Sequence, residues 1–548
     1  MDENQEICVG SVVGELSISD PPPGPSAQNG VSLDFGDETQ PSSEALEQSG
    51  PSYVNVTAND HSPVVDSHAD DVMDHQNVDH IFDNGPRLYG VLVVLGYNGS
   101  SSAAMKHRSR FELVQRAVPN GIQKGRSQIV TDQANQSVAV QDRTRHTVSY
   151  SYSKNHTIVV EYDSVRSKDM FQIGRSSEPQ IDFTVVDTWL ATGGQNQNSH
   201  LSSNHSHAAP AGKQEATSKD RKKCKVAPVT AQTAPRPICS TISRYACRIL
   251  CDRRPPNACR VYAAGFDAGR NIFLGEKASK WRRKNGEYDG LTTNGVLILK
   301  PPSDDALRVQ HEIQQQSDST TSSPRRSMFQ WFEVSVDGDI YTLRQTRSAA
   351  TRGDVVKGMD NQLTDGTLID LCGATLLFRS ADGLANCLSR DELDAMLNEL
   401  NAARPQCPVS LNTLIVPRRR PTVMKHHRVD RQPYAYPACG HVQGKHDWGH
   451  QHTHDQQQHV CPICERVSHG ILALAMAMES AFHIDGDKPD HAFNPCGHVA
   501  SMMTVRYWSR IPLPHGTNSF HAVCPFCCVL LDDGTPFVRL IFQDNCDF

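Results

Sequence analysis

Between residues 439 and 527, four short pairs of soft donors recur: Cys439-Gly440-His441, Cys461-Pro462-Ile463-Cys464, Cys496-Gly497-His498 and Cys524-Pro525-Phe526-Cys527. Thiolate and imidazole groups one or two residues apart can grip a tetrahedral Zn²⁺ through a tight turn, and two such pairs complete one site. Eight donors therefore predict two zinc ions with no coordination position left for water. Closed sites of this kind are structural, not hydrolytic. A lone CxxC says little, because buried free cysteines are common. Four pairs in alternating order within 89 residues say much more. His450, His452, His454 and His459 crowd the first intervening loop, but their run GHQHTHDQQQH reads as solvated, and they are expected to stand outside the donor sets. Cys528 and Cys546 read as a small buried hydrophobe or a terminal thiol. The pairing stays open at this level. Interleaved pairs would staple one small domain, and sequential pairs would make two successive modules.

The rest of the chain sets the frame for these residues. It has 548 residues, 54 of them basic and 61 acidic, for a formal net charge of −7. No global field draws it to nucleic acid or to an anionic membrane. Its apolar content is 38% and its mean hydropathy −0.49, low enough to predict disordered stretches within a long chain. The longest strongly apolar run, Ile471 to Met478, is far too short to span a bilayer, and MDENQEICVG lacks the apolar core of a secretory signal. A cytoplasmic protein, with a nuclear fraction allowed, is expected. In that compartment thiols stay reduced, so the 17 cysteines call for metal rather than a disulfide framework.

Residues 1–86 are rich in Ser, Pro, Gly, Asn and Asp and are expected to form a disordered tail. From Leu88 onward, short β-branched and aromatic runs alternate with turn residues: LYGVLVVLGY, RFELVQRA, HTVSYSY, TIVVEY, MFQIGR, and later RYACRIL, CRVYAAGF, NIFLG, GVLILK, MFQWFEVSV and TLIDLCGATLLFR. Many short strands with few helical signals predict a mainly β fold, an all-β sandwich over residues 87–384. Two polar tracts, 191–236 and 302–327, lack strand periodicity and read as long surface insertions. The basic run Lys219, Arg221, Lys222 and Lys223 in the first of them reads as a solvated loop. At Ser389 the period changes. Ser389 and Glu392 fit a capping box, and Leu393, Met396, Leu397 and Leu400 recur at helical spacing. A helix of about four turns, closed by ARPQCP, should occupy the linker at 385–430 and lead to a zinc-stapled α+β module at 431–548.

At these donor pairs the chain closely resembles the Pellino family of ubiquitin ligases, whose RING-like domain carries the same alternation of CGH and CPxC. RPQCPVSLNTL, CGHVQGKHDWGH, HAFNPCGHV, YWSRIPLPHGT, FHAVCPFC and RLIFQ look like family signatures. Upstream, YGVLVVLGYNG, DMFQIGRSSE, STISRYACRI, AAGFDAGRNIFLGEKASKW, DGLTTNGVLI and LIDLCGATLLFR resemble the family's forkhead-associated (FHA) domain with its β-strand appendage. The likeness covers most of 87–380 and 401–548. It is absent from the tail and both insertions, and Leu472 to Lys488 departs from the family pattern.

The resemblance implies phosphothreonine recognition. Gly174-Arg175-Ser176 resembles the FHA GR motif, Ser243 its serine, and Thr293-Asn294-Gly295 its third element. Arg175 and Ser243 would hold phosphate, Arg244 would add charge, and Thr293 and Asn294 would hold the peptide backbone. Ala246 stands where generic FHA domains carry histidine. The resemblance also implies a ligase without a covalent ubiquitin intermediate, and no nucleophile–base arrangement in the sequence asks for one. Its partners would be ubiquitin, a charged ubiquitin-conjugating enzyme docking at Pro462, Ile463, Pro525 and Phe526, and a phosphorylated kinase of the IRAK/Pelle class in Toll and interleukin-1 receptor signalling. The alternative is a non-catalytic phospho-dependent scaffold. A zinc-dependent nucleic-acid binder is disfavoured, because the cysteine-rich region has no concentrated Lys/Arg stripe.

Overall fold

The computed structural model describes residues 86–97, 109–131, 144–185, 241–302, 329–418, 431–446, 450–453, 456–515 and 519–543. Residues 1–85 of the tail, the insertions at 191–236 and 303–327, Lys219 to Lys223 within the first of them, His454 and Cys546 lie outside them.

A seven-stranded sheet organises the described residues. Its order is Ile340–Tyr341, Phe332–Val334, Val296–Leu299, Leu368–Asp370, Ala374–Ser380, Leu88–Tyr97, Arg110–Val114. Two four-stranded sheets pack on one face of it. One is Asn271–Leu274, His146–Ser153, His156–Val165 and Gly121–Val130; the other is Phe183–Thr184, Lys168–Gly174, Cys247–Asp252 and Cys259–Ala263. Together they enclose the sandwich core predicted from the strand pattern. A small hairpin, Lys280–Arg282 with Tyr288–Gly290, packs against the sandwich through Tyr288, and Gly290 O accepts from Val336 N–H at 2.9 Å. Arg283 ties it down through Asp289 (2.8 Å) and Asp337 (2.6 Å).

Strand Leu88–Tyr97 is apolar at successive positions because both of its faces are covered. Leu92 and Val94 point into the sandwich, whereas Val91, Val93 and Leu95 point away from it into a second core. The same division separates Ile298 from Leu297 and Leu299, and Leu376 and Phe378 from Leu377. The period of two puts neighbouring residues on opposite faces. Across the outer face lie Phe482, Phe493, Val505, Trp508, Val523 and Leu531 of the cysteine-rich region. Trp331 crosses the junction, its indole N–H donating to Pro512 O at 2.6 Å. The cysteine-rich region is therefore built onto the sandwich.

Trp331→Ala should cost about 3–5 kcal/mol by cavity formation. Urea titration is expected to show a lowered midpoint with the sandwich and the cysteine-rich region still unfolding together. Two separated transitions in the parent protein would contradict the shared core.

The described residues also hold three α-helices, α1 (Ala381–Ala385), α2 (Arg390–Ala402) and α3 (Met502–Trp508), one 3₁₀ turn at Ser480–Phe482, and the short strands of the cysteine-rich region. In α2 both capping-box bonds form, with Ser389 and Glu392 each accepting from the other's backbone N–H. Leu393 and Leu397 are buried, and Met396 and Leu400 pack beside them. This is the helix read from the sequence. α1 and α3 are too short for a periodic signal.

Candidate metal centres and phosphate pocket

The eight donors converge as two groups, Cys439–His441–Cys461–Cys464 and Cys496–His498–Cys524–Cys527, with all donor atoms of each group within 4.8 Å of one another. The pairing is sequential, and the interleaved alternative is not formed. Backbone geometry presents each pair in the same way. Gly440 (φ +81°) and Gly497 (φ +75°) let the CGH turns close, their N–H groups donating at 2.7 Å to Tyr436 O and Phe493 O. After the CPxC pairs, Glu465 (φ +57°) and Cys528 (φ +58°) take the left-handed conformation. Their N–H groups return to Cys461 O and Cys524 O, both at 2.8 Å.

The two lobes exchange strands. Ala475 N–H donates to Gly497 O (3.0 Å) and Ile541 N–H to Gly440 O (2.8 Å), so the segment leaving each lobe pairs in parallel with the other lobe's CGHV turn. A Cβ at Gly440 would sit 2.0 Å from Arg539 O, and one at Gly497 2.2 Å from Ala473 O, so neither turn admits a side chain. Main-chain exchange does the stapling that crossed metals would otherwise do.

The donors fit a tetrahedral ion. Sulfur and nitrogen bound at roughly 2.3 and 2.0 Å lie about 3.6 Å apart along a tetrahedron's edge. Cys461 Sγ stands 3.6 Å from His441 Nδ1, Cys496 Sγ 3.4 Å from His498 Nδ1, and Cys524 Sγ 3.8 Å from the same nitrogen. Nδ1 is thus the ring nitrogen that each histidine would offer to an ion. Without a cation the sulfurs cannot all ionise. Burial pushes the Cys439 thiol up to about 12 and Cys524 well up, while hydrogen bonds from Cys496 and Cys524 hold Cys527 far below its ordinary value. A divalent ion satisfies the whole set. Among the described residues no other cluster of three or more such donors converges. His459 is buried but joins neither group. Cys528 belongs to neither group; its thiol donates to Leu95 O at 3.2 Å across the junction.

The apolar residues beside the two CPxC pairs part company. Pro462 is half-buried and Ile463 exposed, but Pro525 is buried. Phe526 packs in the core shared with the sandwich, its ring 5.8 Å from that of Phe482 and 6.1 Å from that of Phe493. Pro525 and Phe526 therefore do not form an open rim, because the second lobe turns its knuckle toward the seven-stranded sheet.

At the other end, three loops meet. Arg175 N–H donates to Ser243 O (3.1 Å), and Arg175 Nε to Ile242 O (2.8 Å), which fixes the plane of an exposed guanidinium. Ser176 N–H donates to Arg244 O (3.2 Å). Asn294 Nδ2 reaches both Thr241 O (2.7 Å) and Ser243 Oγ (3.2 Å), and Gly295 (φ +67°) makes the turn that allows this. Thr293 and Arg244 are exposed beside them. Ala246 is buried, and its N–H pairs with Ile173 O in the strand, so the missing imidazole leaves no gap in the loop.

Two supports carried no sequence signal. Tyr245 donates its hydroxyl to Glu178 at 2.7 Å, and with Gln180 holds that carboxyl below its usual range, while Arg244 lies over the Tyr245 ring. Arg347 pairs with buried Asp370 and donates to Asn294 O at 3.4 Å.

Comparison with known proteins agrees with this geometry. The family model described as Pellino, FHA domain, matches residues 80–396, and that described as Pellino, RING domain, matches 400–547. The chain is 43% identical to the mouse E3 ubiquitin-protein ligase pellino homolog 2 over 466 residues, 84% of this chain and 96% of that protein. It is 43% identical to Drosophila melanogaster protein pellino over 465 residues, 84% and 95% of the two chains. It is 43% identical to mouse pellino homolog 3 over 464 residues, 84% and 91%. With three loops meeting at one end of a β-sandwich, paired CGH/CPxC lobes built onto it, and likeness running nearly the full length of these proteins, the chain belongs to the Pellino family of E3 ubiquitin-protein ligases.

Proposed function

We propose that this ligase selects targets by phosphothreonine and promotes ubiquitin transfer onto their lysines. The observation that carries the reading is the junction at Asn294, which ties the third loop to Ser243 and so to the backbone holding Arg175. Arg175 offers a guanidinium fork and Ser243 a hydroxyl to one phosphate, and Arg244 adds positive charge. Thr293 and Asn294 hold the peptide main chain. By family likeness the target is a phosphorylated kinase of the IRAK/Pelle class in Toll and interleukin-1 receptor signalling, in the cytoplasm. Among the described residues no helix is long and apolar enough to cross a membrane.

Two structural zinc ions, one on each donor set, would fold the two lobes. With four protein donors each, neither site retains a position for a reacting group. The chemistry stays on the conjugating enzyme. The lysine amine attacks the ubiquitin thioester carbonyl, an isopeptide bond forms, the C–S bond breaks, and the departing thiol takes the proton. The ligase supplies proximity and restrained geometry. Pro462 and Ile463 on the open first-lobe knuckle are the proposed docking residues.

The test compares two substrates that differ only in phosphorylation of one threonine, with the full chain, ubiquitin and a charged conjugating enzyme. Transfer to the phosphorylated substrate should be at least tenfold faster, and equal rates would overturn the reading. Phosphopeptide binding without any chain formation would instead identify a scaffold.

A further inference from the structure

A third segment has the backbone of the two metal-bearing knuckles but carries no second cysteine. In Cys407-Pro408-Val409-Ser410-Leu411-Asn412, the Cys407 N–H donates to Asn412 O (2.9 Å) and the Leu411 N–H returns to Cys407 O (2.9 Å), with Leu411 left-handed at φ +59°. Cys461 N–H donates to Arg466 O (3.0 Å) and Cys524 N–H to Val529 O (2.9 Å) in the same pattern. Each knuckle has proline in second place and its left-handed residue in fifth. Ser410 stands where the others have a metal-binding cysteine. Cys407, fully buried, belongs to neither donor group. Its sulfur accepts from the Ser410 N–H at 3.4 Å and from the backbone N–H groups of Val409 and Gly444. Hydrogen bonds therefore close this turn in place of an ion.

This knuckle belongs to the first lobe. Cys407 packs with Ala435, Val442 and Leu472 of that lobe. The segment Ile541–Gln543 bridges the two, pairing with His441 at one end and with Gln406 at the other. This knuckle exposes apolar side chains, Leu411 at 66% and Val409 at 40%, as do the bridging segment at Ile541 (45%) and the metal-bearing knuckle of the same lobe at Ile463 (46%). At the tip of the second lobe's knuckle the corresponding residues differ: Pro525 is buried and Phe526 half-buried against the core shared with the sandwich, although Leu530 just beyond is exposed. A ligase of this family must hold a conjugating enzyme, and the first lobe exposes apolar side chains at the tips of two knuckles, whereas the tip of the second lobe's knuckle packs partly into the shared core.

We infer that the conjugating enzyme docks across two knuckles of the first lobe, with Val409 and Leu411 of the metal-free turn forming one half of the contact and Pro462 and Ile463 the other. This deepens the proposed function and rests on it. The metal-free half is a specificity element, because its side chains can vary without disturbing any donor.

The test uses the full zinc-loaded chain and a ubiquitin-conjugating enzyme active with it. The double variant Val409→Ala/Leu411→Ala, and separately Leu411→Asp, should weaken conjugating-enzyme binding and slow thioester discharge at least tenfold. Both variants should keep two metal ions per chain and unchanged phosphopeptide affinity. Unchanged enzyme binding in both variants, with Ile463→Ala still impaired, would overturn the metal-free half of the contact while leaving the ligase reading intact. Unchanged enzyme binding with altered self-association would assign the face to a second copy of the chain and overturn the inference. A parent protein that binds no conjugating enzyme at all would remove the proposed function and this inference with it.

Discussion

Cys461→Ala combined with Cys464→Ala is expected to bring ubiquitin chain formation down to background while phosphothreonine-peptide affinity stays within about twofold of the parent. A structural zinc site contributes on the order of 10–16 kcal/mol, as much as the whole stability of a typical domain. Little else in the first lobe replaces that: the hairpin Tyr434–Ala435 with Val442–Gln443 that carries its CGH turn has strands only two residues long. The sandwich should survive, because the first lobe's hydrophobic contacts run to α2 and the second lobe, not to the seven-stranded sheet. Metal content should fall from two ions per chain to one. The corresponding change at Cys524 and Cys527 should behave differently, since both lie in the core shared with the sandwich, and it should lower the stability of the sandwich as well. Ubiquitination assays, metal analysis and peptide titration on the same preparations check the result. A double variant at Cys461 and Cys464 that still builds chains would sink the metal-scaffold mechanism.

Arg175→Ala should weaken a phosphothreonine peptide by roughly 10–100-fold, the loss of about 1.5–3 kcal/mol expected for a hydrogen bond to a charged group. The unphosphorylated peptide should be affected little. The fold should be unchanged, because the backbone N–H of residue 175 still reaches Ser243 O and only the Nε bond to Ile242 O disappears. The parent's preference should fade below about pH 6, where the phosphate loses its second charge, and should shrink with added salt. Fluorescence anisotropy with paired peptides gives both affinities. Equal losses for the two peptides would refute the phosphate role.

What the sequence displayed and what it hid divide along physical lines. Local signals were legible: the capping box at Ser389, the strand runs, and the donor pairs, each specified within a few residues. The pairing of those donors was not, because sequential and interleaved use differ only in how strands from distant positions meet, here Ala475 with Gly497 and Ile541 with Gly440. The run LYGVLVVLGY announced a strand but could not say what covered its second face. For the same reason Phe526 and Ile463, alike in their setting beside a CPxC turn, ended in opposite environments. The GRS and TNG turns acquire meaning only together. Their supports, Tyr245 with Glu178 and Arg347 with Asp370, join residues far apart in the chain and leave no pattern of spacing to find.

The seven-stranded sheet has a further consequence for substrate choice. With hydrophobic side chains filling both of its sides, the module that would grasp the phosphate and the module that would present ubiquitin have no swivel between them. The distance from the anchored threonine to the waiting thioester is then a property of the ligase. Which lysine receives ubiquitin is decided by whether the target's own chain can reach that far.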